Sequence, residues 1–211
     1  NSLLKDLPNI NVAIVGEPTQ MQLAIAEKGL VVFDAVIKGT AGHAAHPNND
    51  NPILKSMDVM QWFQNLQFDK VSDTLGPVKL TITQINAGSQ HNVVPSQVNL
   101  VLDVRVNECY TNQEIAEIVS QAPCEVTPRS LRLQSSSIDK EHPLVVAGIA
   151  MGINTYGSPT LSDQAALSCP SLKLGPGDSS RSHTADEFIY TDEIKEAVRL
   201  YIELLDQVIT S

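Results

Sequence analysis

The residues able to do chemistry cluster in a few polar segments. Glu17 follows Gly16 directly after an apolar run, Asn9 to Val15. His183 sits in the densest polar stretch, Gly175 to Glu187. A carboxylate and an imidazole are ligand types for a hard or borderline cation, and Asp186 or Glu187 can orient the second ring nitrogen of His183. For Glu17 the plainer alternative is a carboxylate at a helix N-terminus. A Ser–His hydrolase is a rival for the tail, with Ser162, Ser180 and Ser182 on offer, but no G-x-S-x-G elbow is present. Gly42-His43-Ala44-Ala45-His46-Pro47 places an imidazole among small residues, where a substrate can approach the ring. Two idle, exposed imidazoles are the alternative, and this pair alone has too few neighbours to hold a metal. Asn92 offers an amide to a carboxylate or carbonyl, or else closes an ordinary Asx-turn. Arg105 offers a guanidinium fork to a carboxylate, or else an ion pair to Asp103 on the same strand face.

These groups need a scaffold. Residues 9–15 read as a buried parallel strand that ends at Glu17, the end of an α/β strand where ligands bind. Residues 30–38 read as a second strand, followed by a Gly-punctuated loop that carries His43. A helix is predicted from Pro52 to about Leu66, with Ile53, Met57, Met60 and Phe63 on its apolar face. Strands follow at 77–86 and 97–107. The second alternates strictly, with Val98, Leu100, Leu102, Val104 and Val106 on one side and Asp103 and Arg105 on the other. Thr111 and Glu114 form a capping box for a helix bearing Ile115, Ile118 and Val119. Residues 124–133 read as an edge strand because Pro128 cannot donate to a ladder. The order from 30 to 133 is therefore β-α-β-β-α-β, a ferredoxin-like sandwich of one antiparallel sheet and two helices. Beyond it come a weak helix at 142–152, a short strand at 171–174 and a strong final helix. That last helix carries Ile194, Ala197, Val198, Tyr201, Leu204, Leu205 and Val208 at a 3.6 period, with Thr191 as its N-cap. One complete small domain (30–133) is thus flanked by two α/β pieces, 1–29 and 134–211, neither with enough strands for a sheet of its own.

Composition removes several functions. The 211 residues carry 14 Lys and Arg against 24 Asp and Glu, a net charge of −10, which opposes binding to nucleic acid or an anionic membrane surface. No apolar run approaches the roughly 18 residues of a membrane span. Three separated cysteines, Cys109, Cys124 and Cys169, form neither a disulfide framework nor a CxxC metal site, and read as packed thiols of a reducing, cytoplasmic compartment. The first residues, Asn1 to Asp6, lack the features of a signal peptide, and the absent initiator Met reads as trimming.

Five segments in order resemble the M20 metallopeptidases, the dinuclear zinc aminoacylase and deacetylase family. They are Val15-Gly16-Glu17-Pro18-Thr19, Gly39 to Pro47, Asn92-Val93-Val94-Pro95, Asp103-Val104-Arg105, and Gly175 to Glu187. The tail from Leu174 to Ile189 looks most like acetylornithine deacetylases and their relatives acting on acetyl- or succinyl-citrulline, which places the activity in arginine biosynthesis. The resemblance implies an α+β and α/β architecture, with the ferredoxin-like lid inserted into a zinc-hydrolase catalytic domain. It implies Glu17 and His183 as ligands to two different zinc ions, cobalt being a possible substitute. It implies that His43, from the lid, reaches a partner subunit's site and donates to the scissile amide oxygen. It implies Asn92 and Arg105 as binders of substrate polar groups, Arg105 at the α-carboxylate, and Gly177 in the cleft wall. The implied substrate is an N-acyl amino acid, and the implied assembly is a homodimer through the lid.

The family also uses a His-x-Asp motif and a Glu-Glu pair with the general base, and neither occurs anywhere in the sequence. The expectation is therefore a C-terminal fragment, inactive alone, that binds zinc poorly. Two other readings stand beside the deacetylase. One is a desuccinylase or dipeptidase of the same family, and the other is a non-enzymatic dimerisation or binding module.

Overall fold

The structure, a computed structural model, describes residues 8–209. The N-terminal segment read above for a signal peptide lies outside the described residues. In chain order the elements are β1 (Ala13–Val15), β2 (Leu23–Glu27), β3 (Gly29–Lys38), β4 (Gly42–His43), α1 (Pro52–Asn65), β5 (Lys79–Ala87), β6 (Val93–Val94), β7 (Gln97–Val106), α2 (Asn112–Val119), β8 (Glu125–Pro128), β9 (Ser136–Ser137), α3 (Pro143–Ala150), β10 (Thr155–Ser158), β11 (Ser171–Lys173) and α4 (Thr191–Ile209). The chain divides into two compact units. One holds residues 29–72 and 76–134. The other holds 1–28, 73–75 and 135–211, so Asp73–Leu75, inside the span predicted for the lid, group with the flanking pieces.

The 29–134 unit is the ferredoxin-like sandwich. Its sheet runs β5-β7-β3-β8, all neighbours antiparallel. Strict alternation fixes the register of β7, because a one-residue slip would turn its apolar set to the solvent face. Val98, Leu100, Leu102, Val104 and Val106 are all buried, packed with Phe33, Phe63, Ile115 and Val119. Pro128 closes β8, the edge strand, where a missing donor costs nothing. The Thr111–Glu114 capping box forms as predicted.

Helix α1 starts at Pro52 with Asn51 as its N-cap, and its buried face matches the predicted one in its second half, where Phe63 is buried and Met60 packs against the core, but not in its first. Pro52, Ser56, Val59 and Phe63 are buried, whereas Ile53 and Met57 are exposed. In the first two turns Pro52 and Ser56 take the packed positions, each one residue before the predicted Ile53 and Met57. Small Ser56 lets the helix lie close to the sheet and satisfies its own hydroxyl by donating to Ile53 O at 2.7 Å.

The second unit assembles one mixed sheet from both flanking pieces, in the order β1-β11-β2-β10, with β9 also on β2. β1 pairs with β11 in parallel, and β10 pairs with β2 in parallel, but β11 meets β2 antiparallel. The first strand is shorter than predicted, beginning at Ala13. β2, β9 and β10 were not predicted. Every residue of β2 is buried, and Leu23 and Ile25 join Leu144, Val145, Leu172, Leu174, Ala197 and Leu204 in the core. On α4 the apolar face is narrower than the period implied, since Ile194 and Val198 are exposed. Thr191 is the first helical residue rather than the cap. Among the described residues no helix is long and apolar enough to cross a membrane.

Candidate functional site

The sheet unit brings Glu17, Gly177 and His183 to one place. β1 and β11 end side by side, and the loops that leave them interlock. Leu174 N–H donates to Val15 O at 3.0 Å, and Met21 N–H and Thr19 N–H both donate to Gly175 O, at 3.0 and 3.1 Å. The Thr19 hydroxyl accepts from Gly175 N–H at 3.1 Å, and Gln20 N–H donates to Gly177 O at 2.8 Å. Gly175 is required by proximity, because a Cβ there would lie 2.5 Å from Glu17 O. Gly177 is required by conformation, with φ +87°. The two glycine-bearing motifs, far apart in sequence, are thus halves of one backbone knot.

Around that knot lies a cavity of about 630 Å³ lined by Glu17, Gly177, Asp178, Arg181, His183 and Glu187, among others. A smaller one, about 190 Å³, also takes Glu17 and His183, with Tyr156, Thr160, Lys173 and Ser182. His183 has φ +59°, a left-handed conformation that is strained for a non-glycine residue and concentrated at functional sites. Its N–H donates to Glu187 Oε2 at 2.9 Å. Glu187 therefore engages the backbone of His183, not the ring nitrogen that the sequence reading assigned to it or to Asp186. Asp178 caps the short turn Ser179–Arg181 and accepts from Gln20 Nε2 at 2.6 Å. Those contacts, led by the bond from Ser180 N–H, hold its carboxyl below the usual range.

Sequence reading missed a buried ion pair made by Lys173, one of the residues that line the smaller cavity. Lys173 Nζ lies 2.9 Å from Glu27 Oε2, with side chains 3% and 0% exposed. Lys173 also donates to Ser158 Oγ at 3.0 Å and to Thr160 O at 2.8 Å, and Ser162 donates to Glu27 Oε2 at 2.7 Å. The available signal was a charged residue inside each of two short apolar strands, where an unpaired charge is prohibitive.

Within the described residues no group of three or more His, Cys, Asp or Glu side chains is placed to hold a metal ion. Glu17 and His183 supply two donors, fewer than a dinuclear centre requires. The donor set present does not fit a zinc pair by itself.

The ferredoxin-like unit carries the other candidates. His43 and Asn92 are brought together by a two-strand ladder: His43 in β4 pairs with Val93 in β6, and Ala44 N–H donates to Asn92 O at 2.9 Å. Both side chains are exposed. His43 Nδ1 accepts from Ala45 N–H at 3.1 Å, which leaves Nε2 as the protonated, donating nitrogen. The His46 ring lies 5.6 Å away, tilted. Arg105 is elsewhere. It pairs with Leu30 near the start of β3, whereas Gln97, next to the His43 ladder, pairs with Lys38 at its end. Eight residues of β7 separate the two positions, about 26 Å at strand rise. Arg105 Nε and Nη2 donate to Asp103 at 2.7 and 3.1 Å, so the ion pair weighed from sequence is formed. Nη1 remains for another acceptor.

Comparison with known proteins follows the same division. Residues 25–126 match the peptidase dimerisation domain of the M20 class. Succinyl-diaminopimelate desuccinylase of Ehrlichia chaffeensis is 25% identical over 218 residues, covering 94% of this chain and 57% of that protein. Among solved structures, a tripeptidase from Staphylococcus aureus superimposes with a TM-score of 0.72 at 16% identity, over 98% of this chain and 59% of its own. A dinuclear metal-binding peptidase of the M20 family from Bacillus subtilis gives 0.60 at 16% identity, over 94% and 56%. The chain spans about half the length of the curated relatives it matches. Residues 25–126 therefore resemble a peptidase dimerisation domain, and the chain shares its fold with solved peptidases of this kind.

Proposed function

We propose that the protein serves a metal-dependent amide hydrolase that removes the acyl group from an N-acyl amino acid, in the manner of acetylornithine and acetylcitrulline deacetylases. The observation that carries this reading is the interlock that brings Glu17, Gly177 and His183 to one cavity. A desuccinylase fits the same residues, and the similarity to succinyl-diaminopimelate desuccinylase favours keeping it as the second reading. Zinc, or cobalt in its place, is the metal we propose. Two donors are too few to hold a pair, so we also propose that these 211 residues alone turn over no substrate.

The chain's own groups have defined parts in this reading. His43, with Nε2–H as donor, hydrogen-bonds the amide oxygen as it gains negative charge, a contribution of about 3 kcal/mol for a well-placed oxyanion donor. Asn92, beside it, holds a substrate polar group. Arg105, steadied by Asp103, offers Nη1 to the α-carboxylate. About 26 Å of β7 lies between the His43 ladder and Arg105, too far for one small substrate to touch both in one copy. A second copy must then supply His43, which is why we propose a homodimer.

The face we propose for it lies along β5 and α1. Among the described residues β5 is an edge strand, with no neighbour on one side. Between it and α1 runs a groove of about 780 Å³ lined by Met60, Phe63, Leu66, Phe68, Val78 and Leu80, among others. Ile53, Leu54 and Met57 stand exposed on α1. The test of activity is a panel of N-acetyl, N-succinyl and dipeptide substrates with added zinc or cobalt, on this chain and on the protein in its full natural length. Absence of turnover for every substrate in the full-length protein would defeat the hydrolase reading.

A further inference from the structure

The segment between Gly177 and α4 contains one three-residue turn, Ser179–Arg181, and otherwise no regular structure. Yet it holds His183 at φ +59°, a conformation that persists only where the surroundings over-determine it. The contacts that do so converge on Arg181. Its guanidinium forms a two-pronged bond to Glu193 in the first turn of α4, Nη1 to Oε2 at 2.8 Å and Nη2 to Oε1 at 2.6 Å. The same guanidinium lies over two rings, 5.2 Å from the Phe188 centroid and 5.1 Å from that of Tyr190. Those rings meet edge to face at 5.2 Å. Tyr190 N–H donates to Glu193 Oε2 at 3.0 Å, which ties the far end of the loop to the same carboxylate. Arg181 O accepts from Thr184 Oγ1 at 2.9 Å, so the near end is fastened across His183 as well.

One side chain thus gathers residues on both sides of His183 and fixes them to a helix. We infer that Arg181 is the positioning residue of His183: its clasp on Glu193, Phe188 and Tyr190 holds the left-handed backbone that aims the imidazole at the cavity shared with Glu17. The inference rests on the proposed reading of His183 as a functional side chain. Arg181 acts only through the loop. Its planar fork is essential, because a lysine ammonium cannot grip a carboxylate at two points in that fixed geometry.

The test uses the full 211-residue chain, isotope-labelled, as wild type, Arg181→Lys and Arg181→Gln. Two signals are read: hydrogen exchange of the His183 amide, which is bonded to Glu187, and the chemical shift of its ring Cε1–H. The Leu174 amide, bonded to Val15 in the core, reports the unit's global stability. The expected result is about tenfold faster exchange at His183 in both variants, with a moved ring resonance and unchanged Leu174 exchange. Unchanged His183 exchange and ring shift in either folded variant would overturn the inference. If Arg181→Gln does not fold, Arg181→Lys and Glu193→Gln must show the same signature. No metal or substrate enters the measurement, so a protein that hydrolyses nothing still decides it. An active hydrolase whose His183 is unperturbed in Arg181→Gln would reject the positioning role and leave the hydrolase reading intact.

Discussion

Lys173→Met offers the sharpest test of how the sheet unit is held together. Lys173 and Glu27 are 3% and 0% exposed and 2.9 Å apart. At an effective dielectric near 20, two unit charges at that distance attract by about 6 kcal/mol, most of it offset by the cost of taking both out of water. The net worth of such a pair is small, but the cost of removing one partner is not. Glu27 would keep only Ser162 on Oε2, and its Oε1 has no partner even in the intact protein. Lys173→Met should therefore destabilise the unit by about 3–5 kcal/mol. For a chain of this size that lowers the thermal midpoint by about 6–20 °C. Lys173→Met combined with Glu27→Leu removes both charges and should recover most of the loss. About 1–2 kcal/mol should persist, because the Thr160 carbonyl loses one of its two donors and the Ser162 hydroxyl loses its acceptor. Thermal and urea unfolding by circular dichroism supply all four corners of the cycle. A single-variant loss below about 1 kcal/mol, or a double variant no better than Lys173→Met, would refute the buried-pair argument.

The other predictions concern different parts of the molecule. Gly175→Ala should place a methyl against Glu17 O and cost about 1–3 kcal/mol, read by the same unfolding curves. Glu114, bound first by Lys70 and then by the Thr111 backbone and hydroxyl, is depressed from 4.5 to about 2. Its stabilising share is therefore complete above pH 4.5 and lost as pH falls toward 2, which a carbonyl-carbon NMR titration should show, and Thr111→Ala should raise the midpoint. Leu54→Asp with Met57→Asp should give a monomer by sedimentation if the α1–β5 face is the dimer interface, and an unchanged dimer would exclude that face. If His43 and Arg105 serve one substrate from different copies, a mixture of His43→Ala and Arg105→Ala full-length proteins should regain about a quarter of wild-type activity through mixed dimers, whereas sites built within one copy would regain none.

Local physics made the ferredoxin-like unit legible. The alternation on β7, the Thr111–Glu114 box and Pro128 at an edge each carry their meaning within a few residues. Helix α1 shows where that stops. Its boundaries follow from Asn51 and Pro52, but apolar Ile53 and Met57 lie outside the packed face and Ser56 lies within it. What decides between them is close approach to the sheet, which no periodicity reports. β2 was invisible for a related reason. Leu-Ala-Ile-Ala-Glu has alanines where β-branched residues would signal a strand, and its charged end is explained only by Lys173 on a strand from the other end of the chain. β10 carries Gly157 at its centre, which reads as a break. The motif residues stand out along the sequence, but the contacts that place them, Thr19 to Gly175 and Arg181 to Glu193, depend on the folded path.

The two candidate regions are built to different mechanical ends. Glu17 and Gly177 hang on backbone-to-backbone bonds between the loops that leave β1 and β11, whereas His183 is held through the side chains of Glu187 and Arg181. His43 stands on a ladder two residues wide, at the tip of the loop from Gly39 to Asn51, and that loop is stiffened at its base. Thr40 N–H donates to Asp50 O and its hydroxyl to Asp50 Oδ2, both at 2.9 Å, while Asn48 Nδ2 donates to Thr40 O at 2.8 Å. Lys55 pairs with Asp50 and ties the base to α1. A Cβ on Gly39 would meet Asp50 O at 2.4 Å, so the two sides of the loop nearly touch. An arm braced at its root, with an exposed imidazole whose donor nitrogen is set by the Ala45 amide, needs no ordering when it meets a substrate. On the proposed reading, that pre-organisation is what would make His43 effective as an oxyanion donor, because a group already in place loses little freedom on use.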